Sequence, residues 1–125
     1  MTHKKTIMII DDQRSTRIML SHYLGAQYEV IQRECAKDAV ETLQKGVKAD
    51  VIISDILMPE MDGLEFLVAY QKQQKGNASP VIILSGVENS AERLKCFKNG
   101  ARDFLVKPFN PEELDFRIRN VLATN

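Results

Sequence analysis

At 125 residues the chain has the usual size of one domain and enough length to bury a core. Apolar residues make up 44% and charged residues 27%, the balance of an ordinary soluble globular protein. Lys plus Arg and Asp plus Glu both number 17, so no global field favours nucleic acid or an anionic membrane, and charge-based function must come from local clustering. Cys35 and Cys96 form no metal-type or redox-type pair, which reads as two buried free thiols in a reducing compartment. The polar start, residues 1–6 with His3, leads into an apolar run too short for a signal peptide or a membrane span; a cytoplasmic location is expected.

The first apolar run, residues 7–10, reads as a strand buried on both faces. Thr16, Met19, Leu20, Tyr23 and Leu24 then recur at helical spacing and predict one buried face of a first helix, which also carries His22. Residues 28–35 have the mixed polarity of an edge strand. Ala36, Ala39, Val40 and Leu43 give a second helical stripe, with Gly46 as its stop. Residues 51–53 form the next apolar strand, and Gly63, Phe66, Leu67 and Tyr70 the next stripe, followed by Gly76 and Asn77 in a polar loop. Residues 81–84 repeat the strand pattern, and Leu94, Phe97 and Ala101 make a narrower stripe in a helix over residues 90–99, with Gly100 near its end. After a last strand at 104–106, Asn110 as cap, Pro111 in the first turn and Glu113 three residues after the cap start a final helix. Leu114, Ile118, Val121 and Leu122 are its expected buried face.

Five strand-then-helix units predict an α/β fold, a parallel sheet with helices on both sides. Ligands of such folds bind at the carboxyl ends of the strands. There the sequence places Asp11 and Asp12 after the first strand, Ser54 and Asp55 at the end of the third, Ser85 and Gly86 at the fourth, and Lys107 and Pro108 at the fifth. Each has an ordinary explanation alone, as a cap, a turn residue or a solvated charge. Together they converge three carboxylates, a hydroxyl and an ammonium at one edge. Crowded carboxylates repel unless one is protonated or a hard cation joins them, and Mg²⁺ prefers a few carboxylates. Phosphoryl transfer asks mainly for positioning and charge neutralisation, and Asp is an established phosphoryl acceptor.

The paired Asp11-Asp12, the run from Asp55 through Met58, Pro59, Met61 and Asp62 to Gly63, the Ser85-Gly86 step and Lys107-Pro108-Phe109 resemble the receiver domain of two-component response regulators across essentially the whole chain. The resemblance implies one receiver domain over residues 1–125, with a flavodoxin-like, doubly wound, five-stranded parallel sheet of order 2-1-3-4-5 and five helices in three layers. It implies Asp55 as the acceptor of a phosphoryl group from a phosphohistidine. Mg²⁺ (or Mn²⁺) would be bound by Asp12, Asp55 and the carbonyl of Leu57, with Asp11 acting through water. Lys107 and Ser85 would contact the phosphoryl group, the amides of Leu57 and Gly86 would add donors, and Lys107-Pro108 would be a cis peptide. Ser85 and Phe104 would form the switch, moving the face of the fourth helix, fifth strand and fifth helix. Such a protein is no conventional enzyme but a signalling phosphoacceptor that catalyses its own phosphorylation and dephosphorylation.

The implied partners are a sensor histidine kinase or histidine phosphotransfer protein and a downstream partner or fused effector domain, with a homodimer through the switch face also allowed. Direct nucleic-acid binding and membrane association are not expected of this domain. Ser85 stands where Thr is frequent, Phe104 lacks a tyrosine hydroxyl, and Leu57 and Val87 put apolar groups where others carry polar ones; slow self-dephosphorylation is the expected consequence. Rival readings fare worse. No glycine-rich phosphate loop is present for a nucleotide enzyme, and Asp11-Asp12-Gln13 lacks the D-x-D of an aspartate phosphatase. A non-phosphorylated adaptor of the same fold usually loses an acid or the lysine, and this chain keeps them.

Overall fold

The computed structural model describes residues 4–124; His3 and Asn125 lie outside them. Strands β1 (Thr6–Ile10), β2 (Glu29–Arg33), β3 (Val51–Asp55), β4 (Val81–Ser85) and β5 (Asp103–Val106) alternate with helices α1 (Arg14–Leu24), α2 (Ala36–Gln44), α3 (Gly63–Gln74), α4 (Ser90–Lys98) and α5 (Pro111–Ala123). All pairings are parallel, in the order β2-β1-β3-β4-β5. This is the expected flavodoxin-like arrangement.

Alternation along the strands divides the core. Met8, Ile10, Ile52, Val81 and Ile83 pack with residues of α2, α3 and α4, whereas Ile7, Ile9, Val51, Ile53, Ile82 and Leu84 pack with α1 and α5. The three central strands are buried throughout except for Thr6, which explains why their sequences read as unbroken apolar runs. β2 is the mixed edge strand expected, shorter than the segment 28–35.

Two predicted stripes need correction. On α1 the buried residues are Arg17, Leu20 and Leu24; Met19 and Tyr23 are exposed. The helix turns its narrow face inward at the spacing 17-20-24, and the long aliphatic stem of Arg17 fills the first of those positions. On α4 only Cys96 is buried, and Leu94 and Phe97 face outward. The helix gives the apolar core one small residue, Cys96, and Ala101, beyond its end, joins the same cluster. At α5 Asn110 caps the Glu112 N–H at 2.8 Å, but Glu113 pairs with Arg117 at 3.6 Å instead of closing a capping box. The remaining stripes lie inward as expected, with Val40 and Leu122 only half-buried. Cys35 and Cys96 are free; Cys96 is buried as expected and burial pushes its thiol up to about 11, but Cys35, just before α2, is only half-buried. Among the described residues no helix is long and apolar enough to cross a membrane.

Candidate functional site

Parallel strands in register bring their carboxyl ends to one edge. Ile10 sits opposite Ser54, Asp55 opposite Leu84, and Ser85 opposite Val106, so Asp11, Asp55, Ser85 and Lys107 fall within one rung of each other. Asp11, Asp12 and Asp55 each offer a carboxylate oxygen, and these oxygens lie within 4.8 Å of one another. Asp11 and Asp55 are buried while Asp12 is exposed, so the cluster opens to solvent on the Asp12 side.

Local contacts fix the two buried acids, Asp11 and Asp55. The Asp11 N–H donates to the Arg33 carbonyl at 3.1 Å, and its Oδ1 accepts from the Gln13 N–H at 2.9 Å. Buried Arg17 donates to the Asp11 carbonyl at 2.7 Å, tying the start of α1 to the end of β1. Asp55 is held by the close approach of α3. The Gly63 N–H donates to the Ile56 carbonyl at 2.8 Å, and a Cβ on Gly63 would stand 2.5 Å from the Asp55 carbonyl oxygen. Asp62 and Glu65 form a reciprocal capping box at this helix start, at 2.8 and 3.1 Å. Between Asp55 and α3 the Met61 N–H returns to the Pro59 carbonyl around Glu60, whose φ of 69° is an uncommon, costly conformation for a residue with a side chain.

Lys107 reaches the acids from β5. Its Nζ lies 3.3 Å from Asp55 Oδ1 and 3.4 Å from Asp11 Oδ2, its N–H donates to the Ser85 carbonyl at 2.7 Å, and the Lys107-Pro108 peptide is cis. One ammonium does not balance three carboxylates. Burial foremost, then the charge of Asp11, raises the Asp55 carboxyl above the usual aspartate range, and Lys107 only partly opposes them.

Ser85 is buried, and its hydroxyl lies 3.0 Å from the Val87 carbonyl and 3.2 Å from Glu92 Oε1 while accepting from the Val87 N–H at 3.2 Å. Its partners are thus on the α4 side, not at Asp55. Phe104 is buried opposite Ile83, on the same sheet face as Ser85 and two residues away, in the core cluster that also holds Cys96 and Ala101. Leu57 and Val87 flank the mouth, exposed by 67% and 58% respectively, and Gly86 is exposed beside them. His22 is exposed on α1, away from the acidic cluster.

Sequence reasoning missed two residues around this site. Arg17 was hidden because a basic residue does not register in an apolar stripe, although its spacing from Leu20 and Leu24 puts it on their face. Glu92 left only a faint signal, an acid at the third position of a helix capped by Asn89.

The sequence matches the response regulator receiver domain family model over residues 7–119. It is 34% identical to the transcriptional regulatory protein ResD of Bacillus subtilis, over 97% of this chain and 49% of ResD. It is 31% identical to histidine kinase P4 of Formosa agariphila over 95% of this chain and 9% of that protein. The chain therefore spans half or less of the length of these curated relatives. Among solved structures, the Vibrio cholerae chemotaxis protein CheY4 superposes with a TM-score of 0.88 at 36% identity, covering 95% of this chain and 99% of that one. On this match, from the first strand through most of the last helix, the chain belongs to the response regulator receiver domain family of two-component signalling.

Proposed function

We propose that the chain accepts a phosphoryl group on Asp55 from a phosphohistidine of a sensor histidine kinase or histidine phosphotransfer protein. The observation that carries this reading is the buried Asp55 carboxylate 3.3 Å from the Lys107 ammonium and within the triad of acids at the strand ends. An Asp55 carboxylate oxygen attacks phosphorus, an O–P bond forms, and the N–P bond to the donor imidazole breaks, with the imidazole nitrogen keeping the electron pair. Lys107 holds one side of the acceptor carboxylate before transfer and neutralises phosphoryl oxygens afterwards. The Leu57 and Gly86 amides stand on the loops that follow β3 and β4 and add donors for those oxygens.

The donor set fits a hard divalent cation, since it consists of carboxylate oxygens clustered more closely than their charges alone favour. Asp12, Asp55 and the Leu57 carbonyl would hold Mg²⁺, or Mn²⁺ in its place, and Asp11 would act through water. Bound there, the ion neutralises charge that builds on the phosphoryl oxygens. Ser85 and Phe104 serve as the switch, a population shift between two packings of the β4 end and the β5 face. Leu94 and Phe97 on α4 and Phe116 on α5 leave apolar surface on the output side, suited to a downstream protein, a fused effector or a second copy. Residues 1–125 act as one receiver domain in the cytoplasm, without direct contact to nucleic acid or membrane.

Exposed Leu57 and Val87 offer no polar group to orient an attacking water, so the aspartyl phosphate is long-lived. Leu57→Asn should shorten its half-life several-fold, read by loss of acid-labile phosphate; an unchanged half-life contradicts this part of the reading. The reading as a whole is tested by incubating the protein with Mg²⁺ and acetyl phosphate and measuring intact mass. One added phosphoryl group, absent from Asp55→Asn and from metal-free samples, is the expected result. A folded, Mg²⁺-binding protein that takes up no phosphoryl group from acetyl phosphate or from a phosphorylated histidine donor would overturn it in favour of an adaptor.

A further inference from the structure

We propose that Glu92 is a positioning residue of the switch: its carboxylate holds the Ser85 hydroxyl on the α4 side and opposes its turn toward a phosphoryl group on Asp55. The inference rests on the reading of Asp55 as the phosphoryl acceptor.

Three observations carry it. A serine hydroxyl has one proton, and among the described residues the acceptors of Ser85 Oγ lie toward α4, at the Val87 carbonyl (3.0 Å) and Glu92 Oε1 (3.2 Å). Sheet parity separates the two functional groups. Asp55 is in register with Leu84, which packs toward α1 and α5, whereas Ser85 shares the face of Ile83 and Phe104 toward α4. To bond a group on Asp55, the hydroxyl must therefore leave its present partners and turn around the strand end. Finally, Glu92 has passed over a local alternative. At the same position in α3, Glu65 returns to the backbone N–H of its cap Asp62, but Glu92 reaches Ser85 although Asn89 caps α4 in the same way.

A carboxylate is a stronger acceptor than a backbone carbonyl, so Glu92 weights the hydroxyl toward the unphosphorylated arrangement. A phosphoryl group on Asp55, with its greater charge and three acceptor oxygens, competes for the same proton and wins only against that bias. Removing the carboxylate enlarges the fraction of molecules already competent to bind, and apparent affinity rises with that fraction.

The test is calorimetric titration of the full chain with beryllofluoride, a phosphoryl mimic, at saturating Mg²⁺. Glu92→Ala should tighten binding about three- to tenfold, as expected for loss of one charge-assisted hydrogen bond that is partly open to water. Glu92→Gln should fall between it and the parent, and Glu88→Gln, which removes a charge from the loop just before α4, should leave affinity unchanged. In a Ser85→Ala background Glu92→Ala should have no effect, which a purely structural or long-range charge role would not produce. Parent-like binding by Glu92→Ala, or equal tightening with and without Ser85, overturns the proposal alone. Failure of the parent itself to bind beryllofluoride, with Mg²⁺ bound, overturns the Asp55 reading and this proposal with it.

Discussion

Asp55 is held in the fold at a cost. Burial and the neighbouring Asp11 raise its pKa, so ionising it is harder in the folded chain than in the unfolded one. Its contribution to stability is complete below the ordinary aspartate pKa, about 3.9, and is lost as pH rises through the raised folded value. Asp55→Asn, which has no charge to lose, should therefore be more stable than the parent at neutral pH in metal-free buffer, and the two should converge in acid. Urea midpoints across that range check the sign; a less stable Asp55→Asn at neutral pH contradicts it. Gly63 acts through space alone, since its Cβ would press on the Asp55 carbonyl and on Ile56. Gly63→Ala should cost about 1–3 kcal/mol of stability by overpacking and weaken Mg²⁺ binding by displacing Asp55. Urea unfolding and a Mg²⁺ titration read the two effects. Gly63 and Lys107 were legible because their motifs are contiguous in sequence. Arg17 and Glu92 were not, because the partners that single them out, the Asp11 carbonyl and the Ser85 hydroxyl, are brought near only by folding.

At the scale of elements, strands were easier to read than helix faces. β3 and β4 are buried on both sides, so their sequences are nearly pure apolar runs. α1 and α4 each bury a narrow face, and exposed Met19, Tyr23, Leu94 and Phe97 imitate a core stripe at helical spacing. Periodicity cannot separate a buried apolar side chain from an exposed one at the same spacing. Tyr28 was missed as a clamp for a related reason, since its acceptor lies 87 residues away in sequence. Its hydroxyl donates to buried Asp115 at 2.8 Å, and Arg119 holds the other carboxylate oxygen at 2.8 Å, joining the entry of β2 to α5. Tyr28→Phe should cost about 1.5–3 kcal/mol, the range for a hydrogen bond to a charged group, as read by thermal or urea unfolding. Burial, with Asp115 adding to it, pushes the Tyr28 phenol up to about 12. The stabilisation it gives is thus whole below the ordinary tyrosine pKa near 10 and fades as pH climbs through about 12. The parent's stability advantage over Tyr28→Phe should shrink across that alkaline window.

For the whole molecule, the doubly wound sheet explains why one edge gathers the chemistry. Parallel strands all end on the same side, so residues separated by as many as 96 positions, Asp11 and Lys107, meet there. The element order and strand polarity were readable from pattern, whereas the strand order came with the family resemblance, because periodicity does not state which strand lies beside which. A cation that binds the folded acids and not the unfolded chain should raise stability by about 2.7 kcal/mol at a hundred times its Kd. That gain should vanish in Asp12→Asn and Asp55→Asn, as thermal unfolding with and without Mg²⁺ would reveal. Whether Asp55 itself carries the phosphoryl group is decided by phosphorylating the protein, reducing it with borohydride and sequencing the peptides by mass spectrometry. An aspartyl phosphate is reduced to homoserine, and that product is expected at position 55 and nowhere else. Homoserine at position 11 or 12, or a phosphoryl group that survives reduction on another side chain, would contradict it.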